Sequence, residues 1–238
     1  MRMNNATPML TAIESQYAFT SKDRFLHQIT MAFDPSVVEI WSPLLIGATL
    51  CIATADARKE ASLLASFMLN AGITFTYFTP TQFALLLEAD SETLQACQSW
   101  RMAWFCGEAF PSRLAKAFYE LDLKAELFNT YGPCEAMVQA TISKVPPPTA
   151  ETRAVPIGYT LPSVQHCLLD DAQNPLPIGV PGELYLGGPQ VGTGYLHRPD
   201  ETAKGFLDDR LHQSSSRSRR FLAVECSVLV ICASLTGI

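Results

Sequence analysis

The sequence predicts an α/β fold: a mainly parallel sheet with flanking helices, followed by a small β-rich subdomain. Three observations carry this. Helical and extended patterns alternate from residue 26 to 130, which implies βαβ units with right-handed crossovers. Three extended runs stop at polar or glycine-rich turns, at Thr79-Pro80, Gly107-Glu108 and Asn129 to Glu135, so their ends line one edge of the sheet. Helical periodicity then fades at Val145-Pro146-Pro147-Pro148.

The elements follow in order. Ile46 to Ala53 reads as a turn feeding a buried strand. Residues 59 to 70 place Leu63, Leu64, Phe67 and Met68 on one helical face, and Gly72 sits where a helix ends. Ile73 to Phe78 is β-branched and aromatic, hence a strand. Thr79 is an N-cap and Pro80 a first-turn proline for a helix through Leu87. Met102 to Cys106 is the next strand, Ser112 to Leu121 a helix opened by Pro111, and Ala125 to Phe128 a further strand. Val164 to Asp170 and Gly182 to Leu186 read as strands separated by turns at Asn174-Pro175 and Gly179 to Gly182. Pro199-Asp200-Glu201-Thr202 opens a short helix.

Composition narrows the function classes. Of 238 residues, 48% are hydrophobic and 17% charged, which suits a packed core and argues against disorder. The net charge of −6 argues against a nucleic-acid partner. Seven cysteines without a Cys-x-x-Cys pair and four dispersed histidines disfavour zinc sites and disulfides and fit a reduced, cytoplasmic protein. The first residues hold no apolar signal segment. Near the end, Ser214 to Arg220 is basic and Phe221 to Ala233 apolar. That run is shorter than the roughly 20 apolar residues of a membrane span and holds Glu225, so no anchor is expected.

Phe128-Asn129-Thr130-Tyr131-Gly132-Pro133-Cys134-Glu135-Ala136 carries the most chemistry. A Gly-Pro turn follows a strand end, where open α/β sheets bind ligands. An aromatic face stacks on a flat base, and a carboxylate holds magnesium. Taken alone, the stretch equally fits a strand-to-helix turn with no ligand.

The stretch resembles the Asn-x-Tyr-Gly-Pro-Thr-Glu nucleotide motif of adenylate-forming enzymes, with Cys134 in place of Thr. Four further segments resemble nonribosomal peptide synthetase adenylation domains, in order and at matching spacing. They are Phe33-Asp34-Pro35-Ser36 through Trp41; Gly107-Glu108-Ala109; Val155-Pro156-Ile157-Gly158; and Gly182-Glu183-Leu184 through Gly194-Tyr195-Leu196. Coverage runs from about residue 10 to about residue 210. The resemblance implies activation of an amino acid by ATP to an aminoacyl-adenylate, with Mg2+, and transfer to a phosphopantetheine thiol on a separate peptidyl carrier domain. By the same resemblance Asp34 pairs with the substrate ammonium. Pro35, Val38, Tyr77, Trp104, Cys106, Thr130, Val138 and Gln139 form the side-chain pocket, which bulky Tyr77 and Trp104 narrow. Gly107, Glu108, Ala109, Asn129, Tyr131, Gly132 and Cys134 face the nucleotide, and Glu135 ligates the metal. A thiol is a weaker donor than a hydroxyl, which weakens the implied phosphate contact of Cys134.

Plainer readings stand beside these. Asp34 is also a turn residue, Glu108 a solvated turn residue, Tyr77 and Trp104 core aromatics, and Gly192-Thr193-Gly194 a hairpin turn. Cys134 reads as a small buried residue rather than a nucleophile. The resemblance also has gaps. No phosphate loop, no ribose-gripping Thr-Gly-Asp segment after about residue 217 and no C-terminal catalytic Lys is found in the sequence, which makes a fragment the expectation. The expected layout is a partial α/β adenylation core over 1–145, a β-rich subdomain over 146–210, and an atypical tail over 211–238 outside the fold. The rival functions are a catalytically inactive remnant and an acyl-CoA synthetase-like ligase. Asp34 speaks against the latter, whose substrate has no amine.

Overall fold

The computed structural model describes residues 3–149, 152, 154–208 and 220–224. In chain order the elements are α1 (Met3–Gln16), β1 (Arg24–His27), α2 (Ser36–Ile46), β2 (Thr49–Ile52), α3 (Ala61–Asn70), β3 (Phe75–Phe78), α4 (Pro80–Ala96), β4 (Met102–Phe105), α5 (Ser112–Glu120) and β5 (Glu126–Tyr131). A 3-10 turn at Cys134–Ala136 precedes β6 (Thr141–Lys144) and β7 (Tyr159–Thr160). Then come β8 (Gln165–Leu169), β9 (Glu183–Gly187), α6 (Pro199–Gly205), β10 (Phe206–Asp208) and β11 (Arg220–Val224). The strands form a seven-stranded sheet in the order β2-β1-β3-β4-β5-β6-β7 and a four-stranded sheet in the order β10-β11-β9-β8. The chain divides into two compact units, one of residues 13–131 and 141–159, the other of residues 1–12, 132–140 and 160–238.

In the first unit, β2, β1, β3, β4 and β5 run parallel, and β6 pairs antiparallel to β5. Strands buried on both faces suit a parallel sheet, and β3 and β4 are buried throughout. One face carries the main core, including Phe78, Phe83, Trp100, Phe105 and Phe118. The other carries an aromatic cluster of Tyr17, Phe19, Phe25, Phe75, Tyr77, Trp104 and Phe128, joined largely by tilted and edge-on contacts. Each such buried ring contributes on the order of 1.5–3 kcal/mol through removal from water.

The helix signals act as the residue types dictate. Thr79 is extended, and its hydroxyl accepts from Gln82 N at 3.2 Å, so the first turn of α4 begins at Pro80 with a donor satisfied. Gly72, at φ +58°, follows the end of α3 in the left-handed region. Four readings change. β2 is an edge strand, not a buried one; it has one neighbour, only Cys51 is buried, and Ile52 is 59% exposed. The buried stripe of α3 is Leu64, Ala65 and Met68, which turns Leu63 outward. α4 runs past Leu87 to Ala96 because Asp90 breaks the helix with extended φ and then caps a new turn, accepting from Thr93 N at 3.0 Å. The third strand end also shifts: β5 continues through Asn129 and Thr130 to Tyr131.

A polar latch holds the lower end of this sheet. The buried Asp23 carboxylate accepts from Thr20 N at 2.7 Å, Thr74 Oγ1 at 2.8 Å, and Arg101 Nε and Nη2 at 3.1 and 2.8 Å. Burial pushes the Asp23 carboxyl up, but these donors outweigh it and hold it below the usual carboxylate value.

In the second unit, β8, β9, β11 and β10 are antiparallel throughout. Leu169, Tyr185 and Phe221 form its small core. β11 comes from the stretch read as a tail outside the fold; Phe221 and Leu222 are 5% and 3% exposed, and Leu222 is paired with both Phe206 and Leu186. The rest of that stretch, the apolar run beyond Val224 included, lies outside the described residues. Among the described residues no helix is long and apolar enough to cross a membrane.

Candidate functional site

Strand order locates the site in the first unit. Strand order switches sides at β1, which lies between β2 and β3, and the crevice beyond the carboxyl ends of strands at such a switch is where open α/β sheets take ligands. Asp34 lies in the turn between β1 and α2, with its carbonyl accepting from Val37 N at 2.9 Å. Pro35 precedes α2, and Val38 on that helix is fully buried. A buried network secures the β1 end. Glu39 Oε2 accepts from Gln28 N and Ile29 N, both at 3.2 Å, and lies 2.7 Å from His27 Nδ1. Burial raises the Glu39 carboxyl, and its His27 contact opposes that shift.

The ends of β3, β4 and β5 bring four of the expected residues together. Register sets Tyr77 beside Trp104 and Trp104 beside Phe128. The Tyr77 hydroxyl lies 2.8 Å from Thr130 Oγ1, and Thr130 Oγ1 donates to Phe105 O at 3.0 Å. Burial pushes the Cys106 thiol up to about 12, and Asp34 is the first of the nearby carboxylates that add to the rise. Burial raises Tyr77 as well, and Asp34 adds to that rise. Tyr77, Cys106 and Thr130 thus stand together at the carboxyl ends of β3, β4 and β5, and Asp34 follows the neighbouring β1. Trp104 is fully buried in the aromatic cluster, and its Nε1 has no hydrogen-bond partner among the described residues.

The nucleotide candidates of this unit divide. Asn129 is buried, and its Nδ2 donates to Pro156 O at 2.9 Å. Tyr131 is half-buried at the end of β5. Gly107, Glu108 and Ala109 are exposed. Glu108 is more than a solvated turn residue: its carboxylate accepts from Thr81 N at 3.1 Å and Thr81 Oγ1 at 2.6 Å, at the start of α4.

The second unit holds the remaining candidates on the loop 132–140. Gly132 packs so closely on this loop that an added Cβ would lie 2.3 Å from Val138 O, so only glycine fits. Cys134 is exposed, not buried, because the 3-10 turn buries Ala136 instead. Glu135 Oε1 accepts from the Tyr195 hydroxyl at 2.5 Å, and this bond is the largest cause that pushes Tyr195 up to about 12. Met137 and Val138 adopt φ of +59° and +63°, strained for a β-branched residue such as Val138. Gln139 is fully buried, with neither side-chain amide atom partnered among the described residues. Gly192-Thr193-Gly194 is not a hairpin; it lies between β9 and α6, and Gly192 N donates to Glu135 O at 2.7 Å.

Three residues that hold this loop escaped the sequence reading: Tyr195, Gln190 and Asn5. Tyr195 sat inside a recognised motif without a role. Gln190 and Asn5 had no local signal: the loop carbonyls that Gln190 holds lie 51 or more residues away, and the carbonyls that Asn5 holds, on either side of Gln190, lie 184 and 186 residues away. Among the described residues no three His, Cys, Asp or Glu side chains converge as a metal cluster.

A family model described as "AMP-binding enzyme" matches residues 2–196. The chain is 48% identical over 207 residues to the hybrid PKS-NRPS synthetase pyvA of Aspergillus violaceofuscus, covering 87% of this chain and 5% of that protein. It is 48% identical over 205 residues to the hybrid PKS-NRPS synthetase pynA of Aspergillus niger, covering 86% and 5%. The chain therefore spans about 5% of the length of these relatives. Among solved structures, the Vibrio cholerae adenylation domain AlmE, in complex with glycyl-adenosine-5'-phosphate, is 25% identical with a TM-score of 0.80, covering 92% of this chain and 40% of that one.

Proposed function

The chain belongs to the AMP-binding enzyme family, and from that membership we propose that it works within an amino-acid-activating adenylation domain of nonribosomal peptide synthesis. The observation that carries this is the Tyr77–Thr130 hydrogen bond with Cys106 at the carboxyl ends of the parallel strands β3, β4 and β5, and Asp34 in the turn that follows their neighbour β1. An acidic residue beside a snug, largely aromatic wall suits a substrate with an ammonium group and a side chain to be sorted. An acyl ligase needs no such carboxylate.

In the reaction, a carboxylate oxygen of the amino acid attacks the α-phosphorus of ATP, and pyrophosphate leaves. Asp34 holds the ammonium and so aims the carboxylate. Pro35, Val38, Tyr77, Trp104, Cys106 and Thr130 sort the side chain. Trp104 Nε1 supplies hydrogen-bonding capacity that nothing else among the described residues uses. Tyr131 stacks on adenine. Asn129 spends one N–H on Pro156, and an amide has further donor and acceptor capacity for the adenine edge. Backbone at Gly107, Glu108, Ala109 and Gly132 approaches the nucleotide, while the Cys134 thiol gives a phosphate only a weak donor.

Magnesium fits Glu135. Mg2+ usually binds through one or two carboxylates plus waters and phosphates rather than in an all-protein cage, and no denser acidic cluster is present among the described residues. The ion would neutralise phosphate charge. The acyl group then passes to the phosphopantetheine thiol of a carrier domain.

The test is amino-acid-dependent ATP–pyrophosphate exchange by the full-length protein. Exchange with at least one amino acid is expected. Asp34→Ala weakens amino-acid use by about 2–5 kcal/mol, because it leaves an ammonium unpaired in a desolvated pocket, while the KM for ATP holds. No exchange with any amino acid, or an equal loss of ATP and amino-acid binding, overturns the reading.

A further inference from the structure

The first turn of α4 fastens the segments that leave two different strands of the first unit. β1 registers with β2 along its whole length but with β3, among the described residues, only at Phe25 and Phe75. Toward their carboxyl ends the ladder therefore does not fix β1 against β3. Side-chain hydrogen bonds do so instead. Buried Gln28, just past β1, donates from Nε2 to Tyr77 O on β3 at 3.2 Å and to Gln82 Oε1 at 3.1 Å. Gln82 Nε2 donates back to Gln28 Oε1 at 2.7 Å, so the two amides pair reciprocally. Gln82 is itself seated, since its backbone N donates to the Thr79 hydroxyl that caps α4.

Gln28 opens the segment that carries Asp34. Glu39 Oε2 accepts from Gln28 N and Ile29 N, which closes that segment at its base. Phe33, beside Asp34, lies over bare Gly107: a Cβ there would be 3.3 Å from Phe33 Cζ and 3.7 Å from Thr79 Cγ2. The segment after β4 is fastened to the same helical turn, because the Glu108 carboxylate accepts from Thr81 N at 3.1 Å and Thr81 Oγ1 at 2.6 Å. Adjacent residues thus hold different loops, Gln82 the one after β1 and Thr81 the one after β4, across 54 and 27 residues of chain. Ordering a buried carboxamide costs side-chain entropy and desolvation that an apolar residue would not incur. What the amide adds is a fixed spacing, and a misplacement of about 1 Å in a group that holds substrate costs on the order of 10²-fold in rate.

We propose that the first turn of α4 is a positioning hub with two separable arms. Gln82, paired with Gln28, sets the Asp34 loop for the substrate ammonium. Thr81, through Glu108, sets the Gly107-Glu108-Ala109 loop for the nucleotide. This rests on the adenylation reading above.

The test uses the full-length protein and the variants Gln28→Leu, Gln82→Leu and Thr81→Ala. KM is determined separately for amino acid and ATP by ATP–pyrophosphate exchange, and hydrogen exchange of the backbone amides of residues 29–38 is followed in parallel. Gln28→Leu should raise the KM for the amino acid about tenfold and leave the KM for ATP unchanged. Gln82→Leu should do the same, and the double variant should be little worse than either, because each single change already removes the whole pair. Gln82 is half-buried, so its variant carries the test if Gln28→Leu does not fold. Thr81→Ala should show the reverse split, with the KM for ATP up about threefold and the KM for the amino acid held. Equal rises in both KM values in the glutamine variants, or an amino-acid KM that neither of them moves, overturns the proposal. So does a Thr81→Ala protein whose KM for ATP is unchanged. If wild type activates no amino acid, the adenylation reading fails, and hydrogen exchange then decides the fastening: faster exchange over 29–38 in both glutamine variants upholds it, and unchanged exchange overturns it.

Discussion

The sheet of the first unit and the loop 132–140 of the second reach order by opposite means. In the sheet, position follows from regular structure. Tyr77, Trp104 and Thr130 stand where strand register puts them, with a packed aromatic face behind. In the loop, backbone sits in strained conformations, and remote amides hold it there. Damage to the sheet should therefore be felt as lost stability, and damage to the loop as lost discrimination.

The largest test of that contrast is Phe83→Ala. Phe83 is fully buried and packs on Trp100, Phe105 and Phe118, so its removal should cost about 3–5 kcal/mol. The urea midpoint should drop steeply, with substrate ranking unchanged in whatever protein remains folded. A changed ranking would mean that the core tunes the site.

Next is Asp23→Asn, which should cost about 2–3 kcal/mol at neutral pH through weakened charge-assisted hydrogen bonds. The wild-type carboxyl titrates lower when folded than its ordinary value near 3.8. Below that value the unfolded chain therefore takes up the proton first, and stability falls as pH drops toward the folded value. The Asn variant should lack this slope. Glu39, whose carboxyl is raised, contributes in the opposite sense, with stability lost as pH rises above its ordinary value; it does so in both proteins and cancels in the difference. Urea midpoints between pH 3 and 7 check this, and parallel curves for the two proteins would remove Asp23 from the ledger of titrating groups.

The smallest expected loss of stability is from Gly132→Ala, about 2 kcal/mol by crowding. Its new Cβ meets backbone of Val138 and Ala140, which cannot swing aside. The contrast above requires the KM for the amino acid to rise out of proportion to that modest destabilisation. A fall in melting temperature with an unchanged KM would make the loop a spacer.

Legibility in the sequence tracks this division. Thr79-Pro80 marked the start of α4, and the apolar runs of β3 and β4 marked buried strands, because each signal is local. β2 was misread because an apolar run does not say whether a strand has one neighbour or two. The extension of α4 was missed because Asp90 both breaks the helix and caps its continuation. Among the candidate site residues, Asp34 was marked by resemblance to a family motif, while Tyr131 was also marked by its place before a Gly-Pro turn at a strand end. Asn5, Asp23, Glu39 and Gln190 were not visible at all: Asp23 and Gln190 are buried against partners far along the chain, half-buried Asn5 bonds backbone more than 180 residues away, and Glu39 is buried on the end of the preceding strand. β11 was hidden by its sequence context, a short apolar run that reads equally as tail or strand.

The Asp23 latch also has a consequence in time. It joins Thr20 to Thr74 and Arg101, the last lying 78 residues from Asp23. Closing so long a loop is not much harder than closing one half its length, since each doubling adds only about 0.6 kcal/mol. Yet both distant partners must already be in place, at β3 and β4, before the carboxylate meets its last donors. A contact completed late lies on the native side of the folding barrier, so its strength governs how fast the fold is lost rather than how fast it is gained. Asp23 is thus a kinetic bolt on the parallel sheet, and the Asp23→Asn protein should differ from wild type mainly in its unfolding rate.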